Sequence, residues 1–116
     1  RTSHVWVVEA APGEVLANLV CFTRRDSPWW RIYSVVVHPS GRGKGHARRL
    51  MAAVSDAALR AGAAGLRLEV REDNAAARGL YAALGFTVRG RRPGYYDDGA
   101  AAVQLQRPFV AHERLA

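Results

Sequence analysis

Apolar residues recur first at every second position, then at helical spacing, and then in alternating blocks of the two, which predicts a mixed α/β order. Residues 5–9 and 14–22 read as two strands around the Ala11-Pro12-Gly13 turn, a hairpin signal. Residues 23–29, with Arg24, Arg25, Asp26, Ser27 and Pro28, predict a polar loop. Strand character resumes over 30–37, and the unbroken Val35-Val36-Val37 predicts burial on both faces, hence a central place in the sheet. Ala47, Leu50, Met51, Val54, Ala58 and Ala61 then follow the spacing of an amphipathic helix, with Gly62 as its C-terminal cap.

Leu66, Leu68 and Val70 alternate with Arg67, Glu69 and Arg71, giving a strand with two chemically distinct faces. Asn74 suits the N-cap of a second helix, whose inward stripe is Ala77, Leu80, Tyr81 and Leu84 and which Gly85 closes. Residues 86–91 and 101–107 predict a final antiparallel pair joined by the loop 92–99. The tail after Pro108 reads as peripheral and frayed. With no internal repeat or linker, residues 1–116 are expected to form a single domain, its strand-helix-strand units crossing over right-handed beside the central strand.

Composition narrows the class. One cysteine excludes an internal disulfide, and Cys21 lies in the apolar run 19–22, the setting of a buried structural thiol rather than a nucleophile. Seventeen Lys plus Arg against ten Asp plus Glu give a net charge of +7, which admits nucleic acid as a partner. The arginines are spread over loop, helix and strand positions without a basic block or interleaved aromatics, so no nucleic acid is expected and an anionic cofactor suffices. No signal peptide or 18-residue apolar span is present, so a cytoplasmic protein without membrane contact is expected. His4, His38, His46 and His112 show no metal-ligand spacing, so no metal is expected.

The stretch 35–50, VVVHPSGRGKGHARRL, carries the most chemistry: an apolar strand, a glycine-rich turn and the start of a helix. The first N–H groups of a helix lack internal partners and sit at the positive end of its dipole, where phosphate oxygens can satisfy them. Gly41, Gly43 and Gly45 remove the Cβ atoms that would hold a pyrophosphate off those amides and permit positive φ. Arg42, Lys44, Arg48 and Arg49 add positive charge nearby. Two familiar phosphate loops fail here: no Ser or Thr follows a Gly-Lys pair, and GxGxxG meets His46 or Arg48 at its last position.

Arg42-x-x-Gly45-x-Ala47 instead resembles the Q/R-x-x-G-x-G/A signature of the GNAT superfamily of acyl-CoA-dependent N-acyltransferases. The Val37-x-Pro39 strand exit before it, and Asn74-Ala-Ala-Ala-Arg-Gly-Leu-Tyr81-Ala-Ala-Leu-Gly-Phe86 after it, extend the resemblance from about His4 to Phe109. It implies the GNAT fold, a central mixed sheet flanked by helices, whose central parallel pair splays into a V for the pantetheine arm. It also implies that an N-terminal strand and two helices, which help line the acceptor groove, lie outside this chain.

The resemblance implies the following roles. Amides of Arg42, Gly43, Lys44, Gly45, His46, Ala47 and Arg48 bind the pyrophosphate of acetyl-CoA, and Val35, Val36 and Val37 pair with pantetheine like an added strand, the Val37 amide polarising the carbonyl. Asn74 contacts the cofactor besides capping its helix. Tyr81 protonates the departing thiolate; its alternative is an ordinary core aromatic. An α-amino group titrates near ~8 and a lysine near ~10.4 in model peptides, so the acceptor needs a base. Glu69 matches the base of the ribosomal-protein N-terminal acetyltransferase subgroup; its alternative is a surface carboxylate paired to Arg67 or Arg71. Tyr95 and Tyr96 stand where relatives bind the acceptor, or else are exposed hairpin aromatics that merely pack. His38 reads as a solvent-facing loop residue.

The expected function is therefore acetyl transfer from the thioester to a primary amine by direct attack in a ternary complex. The acceptor is either a protein N-terminal amine or a small-molecule amine such as a polyamine, amino acid or antibiotic. A non-catalytic acyl-CoA-binding module is the alternative from another class, and a homodimer is left open.

Overall fold

The computed structural model describes residues 1–114. Six strands form one sheet in the order β1-β2-β3-β4-β6-β5. β1 (Thr2–Glu9) and β2 (Val15–Arg24) form the expected hairpin, with Gly13 at φ 85° in its turn. β3 (Ser27–Val37) follows after only Arg25 and Asp26. The polar loop expected over 23–29 is thus a tight turn. Pro28 is tolerated because it stands at the start of β3, where its carbonyl still accepts from the Ala64 N–H at 2.7 Å, and Arg24 grips Asp26 through two bonds of 2.8 Å across the turn.

α1 (His46–Arg60) packs Leu50, Met51, Val54 and Ala58 onto the sheet and stops at Gly62, whose φ of 77° only glycine adopts freely. β4 (Gly65–Arg71) then pairs in parallel with β3, followed by α2 (Ala75–Ala83), β5 (Thr87–Arg92) and β6 (Ala102–Pro108). The core lies between the sheet and α1: Leu19, Cys21, Val54 and Leu66 are wholly buried, each leucine contributing roughly 1.5–3 kcal/mol by leaving water. Cys21 is the buried thiol its context predicts, and burial pushes its pKa up to about 12.

The described tail is not frayed. Phe109 is buried and donates its N–H to Ala64 O at 2.9 Å, and a single helical turn, α3 (Ala111–Arg114), is tied back by Arg114 to Ala63 O at 2.7 Å. Leu115 and Ala116 lie outside the described residues.

The feature that positions the site is the meeting of β3 and β4. They pair only from Trp29↔Gly65 to Ile32↔Leu68, although β4 continues beside β6 as far as Arg71. At the same point β3 carries a bulge: Cys21 pairs with Ile32 and Val20 with Ser34, leaving Tyr33 as the extra residue. A bulge bends its strand and increases local twist, so β3 swings away from β4 and opens a V in mid-sheet. Val36 is accordingly 54% exposed, and Val35 and Val37 are half-buried. The expectation of burial on both faces fails because, past the bulge, β3 keeps β2 as a neighbour and loses β4.

Candidate functional site

Beyond the bulge, one edge of β3 is unpaired. Backbone groups alternate in direction along a strand. The His38 N–H donates to Leu16 O on the β2 side at 2.7 Å, so the Val37 and Val35 N–H groups point the other way, into the V. This edge leads from one concavity to the next, Val37 lining the first and Val35 the second.

The first concavity, of about 200 Å³, is walled by Val37, Gly41, Arg42, Gly43, Gly45, His46, Ala47, Arg48 and Leu80. Gly43 and Gly45 both have φ of 76°, and a Cβ at either would enter open space, so the glycines leave a hollow that side chains do not fill. Gly41 acts differently: its φ is not positive, but a Cβ there would press on His46 Cδ2 at 3.1 Å. Gly45 is the N-cap of α1 and offers no side-chain cap, and no acidic residue stands in the first turn, which instead carries Arg48 and Arg49. Cations at that end oppose the helix dipole, an arrangement that an anion in the hollow would relieve. Of the four expected cations, Arg42 and Arg48 line the hollow. Arg49 turns to His46 Nδ1 at 2.8 Å, and Lys44 is exposed and does not line it. His46 is buried under the loop, leaving only its main chain for the expected contact.

The second concavity is the V itself, a cleft of about 270 Å³ that brings Val35, Glu69, Asn74, Tyr81 and Tyr96 together from four parts of the chain. Asn74 Oδ1 accepts the Ala77 N–H at 3.1 Å, so it caps α2 while still lining the cleft. Tyr81 is half-buried, edge-on to Phe86 with centroids 5.7 Å apart. Burial, helped by the Tyr96 oxygen, raises its pKa above the ordinary phenol value, which keeps its proton in place.

Glu69 sits at the mouth with its side chain 15% exposed. Its partner is neither Arg67 nor Arg71 but Arg31, whose Nε donates to Glu69 Oε2 at 3.0 Å and whose Nη2 donates to the Tyr95 hydroxyl at 2.9 Å. Sequence reasoning missed Arg31. The alternation of Trp30 and Ile32 with Arg31 and Tyr33 places it on the polar face, but only the register between β3 and β4 brings it to Glu69. Tyr95 and Tyr96 are half-buried rather than exposed, because Tyr96 stands edge-on to Tyr95 at 5.0 Å and lies under Arg71. Arg71 also holds Asp98 at 2.7 Å and Asp73 at 3.2 Å, which pins this loop to the end of β4. His38 is exposed and accepts the Ser40 N–H at 3.2 Å, a local turn role.

No helix among the described residues is long and apolar enough to cross a membrane. Comparisons with known proteins place the chain in a family. Residues 1–86 match the family model described as the acetyltransferase (GNAT) family. The chain is 36% identical over 108 residues to the N-alpha-acetyltransferase RimI of Mycobacterium tuberculosis, covering 90% of this chain and 66% of that protein. The crystal structure of nourseothricin acetyltransferase superposes with a TM-score of 0.83 at 30% identity, covering 91% of this chain and 65% of that one. The ribosomal-protein-S18-alanine N-acetyltransferase of Escherichia coli gives 0.76 at 30% identity, with coverages of 85% and 64%. The chain spans from 21% to 66% of the length of the curated relatives it matches. With its mixed sheet, its split parallel pair and a family match over most of its residues, the chain belongs to the GNAT family of acetyltransferases.

Proposed function

We propose that this chain is the acetyl-CoA-dependent N-acetyltransferase domain of a cytoplasmic enzyme and that a primary amine is its acceptor. The observation that carries this reading is the meeting of Glu69, Tyr81 and the bare β3 edge in one cleft beside a glycine-lined hollow. The donor supplies an activated acetyl thioester and a diphosphate. The loop amides from Arg42 through Gly43, Lys44, Gly45, His46 and Ala47 to Arg48 hold the diphosphate, and Val35, Val36 and Val37 offer a strand edge of the kind that pairs with an extended arm. The Val37 N–H faces the V, where it can polarise a carbonyl. Asn74 lends its remaining hydrogen-bonding groups at the cleft wall.

Glu69 acts as the base that removes a proton from the acceptor ammonium, directly or through water. Arg31 holds its carboxylate in place. Tyr81 returns a proton from its hydroxyl to the departing sulfur, and the raised pKa keeps that proton available across neutral pH. Tyr95 and Tyr96, fixed by Arg31 and Arg71, form the acceptor side. The likeness to relatives named for N-alpha and ribosomal-protein acetylation supports a peptide α-amine. The likeness to nourseothricin acetyltransferase supports a small-molecule amine as the second reading.

The test is coenzyme A release measured over a panel of free-amine peptides and small amines. Turnover with at least one amine is expected. Binding of acetyl-CoA without turnover of any amine would leave a non-catalytic acyl-CoA-binding module, and absence of binding would overturn the reading entirely.

A further inference from the structure

Arg71 ends β4, level with Ala102 of β6, and its guanidinium is shared between two segments that leave the sheet in different directions. Towards the loop before β6 it holds Asp98 through two bonds, Nη2 to Oδ2 at 2.7 Å and Nη1 to Oδ1 at 3.2 Å. Towards the start of α2 it holds Asp73, Nε to Oδ1 at 3.2 Å and Nη2 to Oδ2 at 3.4 Å. Its main chain adds a further tie, the carbonyl accepting the N–H of Asn74, the N-cap of α2, at 3.0 Å. The planar guanidinium carries five N–H donors in a fixed fork and can serve two carboxylates at once. A lysine ammonium is a point charge without that fork.

Both ends of this clasp carry residues of the site. Asp98 belongs to a small turn closed by its own backbone bonds, Gly99 N–H to Tyr96 O at 2.9 Å and Tyr96 N–H to Ala100 O at 3.1 Å, and Asp98 Oδ1 also accepts the Ala100 N–H at 3.1 Å. Holding Asp98 therefore holds Tyr96 with it, and the Arg71 guanidinium carbon lies 5.0 Å from the centroid of the Tyr96 ring. Pairing with Arg71 lowers the Asp98 carboxyl below its ordinary pKa, which keeps the charge of the clasp in place. At the other end, α2 carries Asn74 and Tyr81. Arg71, Asn74, Tyr81 and Tyr96 all line the cleft, so the place of the Tyr96 turn relative to α2 is set across one guanidinium.

Resting on the acetyltransferase reading above, we infer that Arg71 is a positioning residue for the reaction: anchored by Asp73 at the start of α2, it fixes the Tyr96 turn through Asp98 and so sets the acceptor side of the cleft against the side that carries Tyr81. Asp73 and Asp98 then act through the same side chain, and their effects on the acceptor are linked.

The test uses R71Q, R71K, D73N and D98N, with the double variants D73N/D98N and R71Q/D98N, and R60Q as a control that breaks an exposed pair on α1, Arg60 to Asp56. The acceptor probes are an alanine tetrapeptide with a free amine, and spermidine. Acceptor KM is expected to rise by about tenfold in R71Q and about fivefold in D98N, with kcat changing less than KM. The calorimetric Kd for acetyl-CoA should stay within about twofold of the parent, since Asn74 still caps α2 through the Ala77 N–H. R71K should restore only part of the loss and R60Q should match the parent. In the R71Q background D98N should add nothing, and D73N/D98N should fall short of the product of the two single effects.

An unchanged acceptor KM in R71Q, full rescue by R71K, or D98N acting as strongly without Arg71 as with it would each overturn the inference while acetyl transfer itself persists. A Kd for acetyl-CoA that rises as much as acceptor KM would overturn it as well, because it would mark a general loosening. Should R71Q unfold, the cycle between D73N and D98N decides. Should neither amine turn over, the acetyltransferase reading is struck instead, and hydrogen exchange still tests the clasp: amides of residues 96–100 should exchange faster in D98N than in the parent, and equal rates would overturn it.

Discussion

Arg31 on β3 and Glu69 on β4 are joined at 3.0 Å beside the last rung of the parallel pair, Ile32↔Leu68, where the two strands begin to part. The same guanidinium reaches Tyr95 on the loop before β6 at 2.9 Å. One side chain thus couples the carboxylate at the cleft mouth to the loop that borders it. Arg31→Gln is expected to lower kcat/KM by about tenfold or more, since both partners lose their orientation. The pair is partly exposed, with Arg31 at 41%, so stability should change by no more than about 1 kcal/mol. Steady-state kinetics beside a thermal melt separates the two effects, and a large drop in the melt would recast Arg31 as a folding residue.

Tyr81→Phe deletes one oxygen from the cleft wall and keeps the ring edge-on to Phe86. Coenzyme A affinity should hold while kcat falls by about a hundredfold, the low end of what a positioned acid contributes. The phenol pKa is raised above its ordinary value, first by burial and then by the Tyr96 oxygen, so the donor stays protonated across neutral pH. The wild-type rate should accordingly show no fall from Tyr81 as pH rises through the neutral range. An unchanged kcat in Tyr81→Phe would remove this residue from the chemistry.

Much of this architecture is legible in local sequence, because caps and periodicity are local properties. Gly62 and Gly85 adopt the positive φ, 77° and 92°, that their places after helical runs predict, and Asn74 caps α2 through the Ala77 N–H. The glycine hollow is legible for the same reason. The bulge at Tyr33 is not, because it depends on how β2 and β4 compete for β3, and with it go the exposure of Val36 and the opening of the V. The Arg31–Glu69 pair spans 38 residues in sequence and exists only through strand register, which alternation alone leaves undetermined. Phe109 likewise looks peripheral until its backbone is seen bonded to Ala64.

Gly65 tests the closed end of the parallel pair, whose other end, Ile32↔Leu68, opens into the V. It begins β4 where Trp29 and Pro108 flank it on either side. A Cβ there would collide with the Arg107 carbonyl oxygen and come within 2.7 Å of Trp29 Cζ3 and 2.9 Å of Pro108 Cα. Two of these three are backbone and cannot step aside cheaply. Gly65→Ala is expected to cost about 3 kcal/mol or more by denaturant titration. A loss within experimental error would show that the three strands separate here more easily than their pairing implies.

Cys21 offers a pH test of the core. The unfolded thiol ionises near 9.0, whereas burial holds the folded thiol protonated up to about 12. Unfolding therefore releases a proton between those values, and the thiol's contribution to stability, complete below pH 9, is lost as pH rises towards 12. Cys21→Ala should flatten that part of the stability-versus-pH curve relative to the parent chain. The folded thiol should also resist alkylation at pH 8 until denaturant is added. Rapid labelling of the native chain would contradict its burial.

Gly45 separates the hollow's two demands, a backbone conformation and an empty volume. At φ 76° an alanine pays roughly 1–2 kcal/mol in backbone strain, yet its Cβ meets nothing within 4 Å in the folded chain. Stability should fall by that strain alone. The same Cβ would enter the space beside the free amides at the start of α1, so the Kd for coenzyme A, measured by calorimetry, should rise by about tenfold or more beyond what the strain explains. Gly62→Ala is the matched control: it also has positive φ, 77°, and open space around its Cβ, but it lies at the other end of α1. It should lose comparable stability with its coenzyme A affinity intact. Equal affinity losses in the two variants would mean that the hollow is not where the diphosphate binds.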